Sequence, residues 1–170
     1  MIRTKCPPAD WQQRDDANFI KALNTGPETF AGIDYTVIYS HTDEVVVPNT
    51  TASGSSSLHT GKGTITNIAV QDICPGDVSD HLAMGSYDPV GYALAVDAFN
   101  HPGVAKPGRI DAASVCTQTF QPGVDPQTFA ADYAQYLAAI GQAGAESPET
   151  SSEPPLACYV YAAPPKGCAH

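Results

Sequence analysis

Two short runs of β-branched and aromatic residues decide what this chain can fold into: Tyr35-Thr-Val-Ile-Tyr-Ser40 and Thr64-Ile-Thr-Asn-Ile-Ala-Val70. Both are bounded by glycine or by polar turn residues, so both read as buried strands. Helical patterns flank them. Phe19, Ile20 and Leu23 recur at helical spacing behind the capping candidates Asp15 and Asp16, and Gly26-Pro27 stops that helix. Asp88 caps a second helix, Pro89 opens it, and Val90, Ala93, Leu94 and Ala98 form its apolar face up to His101-Pro-Gly103. A third helix is capped by Asp125 and opened by Pro126, with Phe129, Tyr133, Tyr136, Leu137 and Ile140 in one stripe as far as Gly141 and Gly144. Helices alternating with strands predict an α/β fold. Two strands do not make a stable sheet by themselves. The expectation is therefore an incomplete sheet, one flank of a larger one.

The remaining segments are polar. Cys6 to Gln13 is an irregular opening, and 49–63, rich in Thr, Ser and Gly, reads as a surface loop, mobile at its serine cluster Gly54–Ser57, that carries a glycosylation sequon at Asn49-Thr-Thr51. Residues 1–144 form one expected domain, 145–155 a flexible acidic linker, and 156–170 a tail with two cysteines. With 42% hydrophobic residues the chain can bury a core. Its net charge of −10 argues against nucleic acid and anionic membrane surfaces as partners. No apolar run approaches the roughly 20 residues of a transmembrane helix.

The five cysteines (Cys6, Cys74, Cys116, Cys158 and Cys168) form no Cys-x-x-Cys pair, which argues against zinc and thioredoxin-type sites. Their scatter suits structural disulfides in an oxidising compartment, with one thiol left over. The segment Met1-Ile-Arg-Thr-Lys-Cys-Pro-Pro8 has no apolar core of a signal peptide. A secreted composition without a leader predicts that a front portion is missing.

Asp43 and His81 are the candidates for chemistry. Each follows one of the two strands, at the carboxyl ends where ligands and catalytic groups gather in α/β sheets. An aspartate that orients a histidine general base is two thirds of a Ser-His-Asp hydrolase site, and the order Asp before His is that of α/β-hydrolases. Each residue also has an ordinary reading, Asp43 as a turn aspartate and His81 as a capping loop histidine. His41, His59, His101 and His170 are poorer candidates by position. No Gly-x-Ser-x-Gly elbow occurs, and Gly54-Ser-Ser-Ser57 lacks the strand-to-helix setting of one. Asp72, Asp77, Asp80 and Asp88 lack calcium-loop spacing and read as caps, and Gly61-Lys-Gly63 lacks the rest of a phosphate loop. No metal site is expected.

The motifs Pro8-Ala-Asp-Trp11-Gln12-Gln13, Tyr39-Ser-His-Thr42-Asp43-Glu44-Val45-Val46 and Cys74 leading into Asp80-His81 resemble the C-terminal half of secreted α/β-hydrolase lipases of the Candida antarctica lipase B type. The resemblance covers about Cys6 to Cys116. It implies Asp43 and His81 as triad acid and base, Gln13 as a pocket residue and Val45 as an aliphatic lining residue. It also implies disulfides Cys74–Cys116 and Cys158–Cys168. By this likeness the chain is the C-terminal portion of a secreted ester hydrolase. It is expected to be inactive alone for want of the nucleophile, to act on a small-molecule or lipid ester, and to need no cofactor. The alternative is a secreted, disulfide-held binding module without catalysis.

Overall fold

The computed structural model describes residues 4–161, 163, 166 and 167. In chain order the elements are α1 (Pro8–Gln12), α2 (Asn18–Leu23), β1 (Asp34–Tyr39), β2 (Thr64–Ala69), α3 (His81–Ser86), α4 (Pro89–Asn100), α5 (Ala112–Val115) and α6 (Phe129–Glu146). The chain divides into two compact units, one of Met1–Pro27 with Thr128–His170 and one of Glu28–Gln127. This division follows neither edge of the expected 145–155 linker.

The second unit holds the sheet. Among the described residues it has two strands, β1 and β2, paired in parallel from Asp34↔Thr64 to Tyr39↔Ala69. Helix α4 packs on β1, and the core comprises Ile68, Val70, Cys74, Val90, Leu94, Ala105 and Val115. Val90 and Leu94, expected on the apolar face of α4, are 1% and 0% exposed. Asp88 caps α4 as expected, its Oδ1 accepting from the Gly91 N–H. The Cys74–Cys116 disulfide is formed and joins the segment after β2 to the end of α5. Asp97, buried on α4, accepts from Arg109 Nε at 2.7 Å and Nη2 at 2.6 Å and from the Lys106 N–H at 2.9 Å. Next to that cluster, the Ala105 N–H donates to Thr36 Oγ1 on β1.

The connection between the strands is pinned, contrary to the expectation of a mobile loop. Asn49 is only 2% exposed and donates from Nδ2 to Ser56 Oγ, while its Oδ1 accepts from the Ser56 N–H. Asn67 on β2 exchanges two hydrogen bonds with the backbone of Leu58. Glu28 accepts from the N–H groups of His59 and Thr60. Polar side chains thus supply the partners that a ladder would otherwise give these backbone groups. Gly61 sits at φ +109° against Thr29, and a Cβ on Gly63 would come within 2.5 Å of the Tyr35 ring.

The first unit corrects three local expectations. The opening forms a short helix, α1, because Pro8 fits its first turn and the Trp11 indole anchors it by donating to the Thr150 carbonyl at 3.0 Å. Helix α2 is not capped by Asp15 or Asp16. Asp16 pairs with Arg14 instead, and the first N–H groups of α2, on Asn18 and Phe19, donate to the Glu153 carboxylate at 2.7 and 2.8 Å. Helix α6 starts after Thr128, with Asp125 tied to the Gln127 N–H, and continues through Gly141 and Gly144 to Glu146. An isolated helical glycine costs only about 1 kcal/mol, and the neighbouring alanines favour continuation.

The segment 145–155 is likewise tied down, by the last turn of α6, by a two-way backbone pairing of Thr150 with Cys6, and by Glu153. Cys6 is a buried free thiol. Cys158 is disulfide-bonded; Cys168, its expected partner, lies outside the described residues.

Candidate active site

The loops that leave the carboxyl ends of β1 and β2 meet at Asp43 and His81. Asp43 Oδ2 lies 3.0 Å from His81 Nδ1. Its other oxygen, Oδ1, accepts from the N–H groups of Val45 at 2.9 Å and Val46 at 2.8 Å, so both carboxylate oxygens are committed. The Asp43 side chain is 9% exposed and that of His81 39%. Burial works against ionisation of Asp43. The Val46 N–H, the His81 ring and the Val45 N–H outweigh it and hold the carboxyl below its ordinary range.

His81 was expected in a loop. It is instead the first residue of α3, with Asp80 as the cap accepting from the Ala83 N–H at 2.8 Å. The His81 N–H, one of the unpaired donors at a helix start, donates to Glu44 at 3.2 Å. The residue after the acid thus holds the backbone of the histidine.

A second layer binds the two loops. Ser40, fully buried, donates to the Ser79 carbonyl at 2.6 Å, and Thr42 Oγ1 donates to the same carbonyl at 2.8 Å. Gln71 reaches from the turn after β2 to Ser40, to the His41 N–H and to the Asp77 carbonyl. Ser79 is gripped in turn by Asp77, which accepts from its N–H, and by Asp88, which accepts from its hydroxyl at 2.6 Å. Burial raises the Asp88 carboxyl above its ordinary range, against the bonds from Ser79 and Gly91, and the nearby Asp77 adds to the rise.

Sequence reasoning passed over Ser40, Thr42, Glu44, Gln71 and Ser79 as working residues. Three of them lie inside the Tyr39–Val46 motif, which was a usable signal; Gln71 and Ser79 carried none. Asp72, Asp77, Asp80 and Asp88 all accept local backbone N–H groups, as caps and turns do. Among the described residues no cluster of His, Cys, Asp and Glu is arranged to hold a metal ion.

The other expected residues fall as follows. Val45, two residues after Asp43, is 57% exposed. Gln13 belongs to the first unit, where it ends α1. His41 leans on the Tyr39 ring, and His101 pairs with Asp97. A cleft of about 390 Å³ beside the disulfide is lined by Cys74, Asp77, Tyr87, Asp88 and Cys116 among others, and touches neither Asp43 nor His81.

No protein-family model matches the chain, and no curated protein matches it. Among solved structures it is similar to lipase B of Aspergillus fumigatus, with a TM-score of 0.78 and 31% sequence identity over 95% of this chain. The fold is thus lipase-like, and the chain spans 41% of that structure's length.

Proposed function

We propose that this chain is the C-terminal portion of a secreted serine lipase or esterase, to which it contributes the acid Asp43 and the base His81. The observation that carries the proposal is the 3.0 Å approach of Asp43 Oδ2 to His81 Nδ1. A hydrogen on Nδ1 donated to Asp43 leaves Nε2 with its lone pair. That nitrogen takes the proton of a serine hydroxyl as the oxygen attacks the ester carbonyl, and returns it to the departing alcohol. Asp43, kept anionic by its surroundings, stabilises the imidazolium formed between these steps. The nucleophilic serine comes from outside these 170 residues, since no Gly-x-Ser-x-Gly elbow lies within them. The reaction needs no metal or organic cofactor.

Val45, exposed and two residues after Asp43, is the residue proposed to meet the acyl group. The Cys74–Cys116 disulfide supports an extracellular setting. No helix of the described residues is long and apolar enough to cross a membrane. Nothing among the described residues favours a non-catalytic binding module.

The test is a chimera in which this chain replaces the matched portion of the Aspergillus lipase. It should hydrolyse a short p-nitrophenyl ester, and His81→Ala should lower turnover by about 10⁴-fold or more. Turnover close to that of the parent chimera after His81→Ala would end the assignment.

A further inference from the structure

We infer that Gln71 is the positioning residue of the Asp43–His81 pair, acting as a three-point clamp between the loop that carries the acid and the loop that leads into the base. The inference rests on the reading of Asp43 and His81 as acid and base.

The primary amide of Gln71 has one strong acceptor and two donor hydrogens, and all three find a partner in a different direction. Its Oε1 accepts from the His41 N–H at 3.0 Å. Its Nε2 donates to Ser40 Oγ at 3.0 Å and to the Asp77 carbonyl at 3.1 Å. Ser40 and His41 are the residues through which β1 passes into the acid loop. Asp77 begins the run to Asp80 and His81. The side chain therefore fixes the acid loop by one acceptor and one donor, and the histidine loop by the other donor.

Ser40 Oγ accepts from Gln71 Nε2 and from the Thr42 N–H at 3.2 Å, and its own hydrogen reaches the Ser79 carbonyl, a further link between the loops. Removing the Gln71 donors takes away the direct link to Asp77 and one of the two N–H groups that orient this hydroxyl. No bond runs from Gln71 to Asp43 or to His81, so its effect passes through the position of their backbones.

Glutamate at this position is the discriminating change. Gln71→Glu preserves the shape and an acceptor for His41 but presents oxygens to Ser40 Oγ and to the Asp77 carbonyl. Gln71→Met keeps the length and removes every hydrogen bond, without adding charge. The readout is the nitrogen-bound Nδ1 proton of His81 in the ¹⁵N-labelled 170-residue chain, whose low-field position and slow exchange report the bond to Asp43.

Wild type should show that proton, and His81→Gln should abolish it. Both Gln71 variants should lose it or speed its exchange by about tenfold or more while keeping wild-type amide dispersion elsewhere. An unchanged proton in Gln71→Met overturns the clamp and leaves the acid–base reading intact. Absence of the proton from wild type would instead sink the acid–base reading, and the clamp with it.

Discussion

Asp43 and His81 are 38 residues apart in sequence, yet Asp43 Oδ2 meets His81 Nδ1 at 3.0 Å while Asp43 Oδ1 is held by two backbone N–H groups. The carboxylate thus cannot turn away from the ring without abandoning Val45 and Val46. Asp43→Asn preserves an acceptor for those two N–H groups and puts an N–H₂ group in front of the ring. The imidazole should adopt the wrong tautomer. Turnover in the lipase chimera is expected to fall by about 10⁴-fold with little change in the thermal midpoint. Kinetics alongside a melting curve checks both halves.

Asp97 should govern the acid stability of the second unit. Its carboxyl is held at about 2, chiefly by the Arg109 hydrogen bonds against the opposing effect of burial. A depressed folded value means that the stabilisation is present above the unfolded value near 4 and is lost as pH falls towards 2. Asp97→Asn should therefore cost about 2 kcal/mol at pH 7 and almost nothing near pH 2. Urea unfolding at the two pH values measures the difference.

The Cys74–Cys116 bond closes a loop with a sequence separation of 42. Loop-closure entropy puts its contribution at about 4 kcal/mol. Replacing both cysteines by alanine should lower the urea midpoint accordingly, and a reductant should then have little further effect on the second unit.

The Asn49 sequon should stay unmodified in folded protein. Its side-chain nitrogen, the glycan acceptor, already donates to Ser56, and the residue is 2% exposed. Secreted from a glycosylating host, the folded fraction should show the unmodified mass for the peptide containing Asn49. A glycan on that peptide in well-folded material would contradict the burial.

Strand positions were legible because β-branched and aromatic runs bounded by turn residues report local geometry: β1 and β2 lie within one residue of their expected bounds. Helix α4 was equally legible from Asp88, Pro89 and its apolar face. The capping of α2 was not, because Glu153 lies 135 residues from the N–H it accepts. The meeting of Asp43 with His81 was legible through strand ends and motif likeness, whereas the bonds of Gln71 to Ser40, His41 and Asp77 were not. A glutamine becomes a clamp only when two loops arrive on either side of it, and nothing in its immediate neighbours records that.

Gly61 and Gly63 bracket a lysine in a stretch that resembles a phosphate-binding sequence only superficially. Gly61 needs a left-handed backbone and has no room above Thr29, while Gly63 is closed off by the Tyr35 ring. Lys62 between them is exposed. In a saturation library scored for folded protein, positions 61 and 63 should accept almost nothing and position 62 almost anything. A lineage would then keep a Gly-x-Gly signature here indefinitely, a mark of steric history that carries no message about nucleotides.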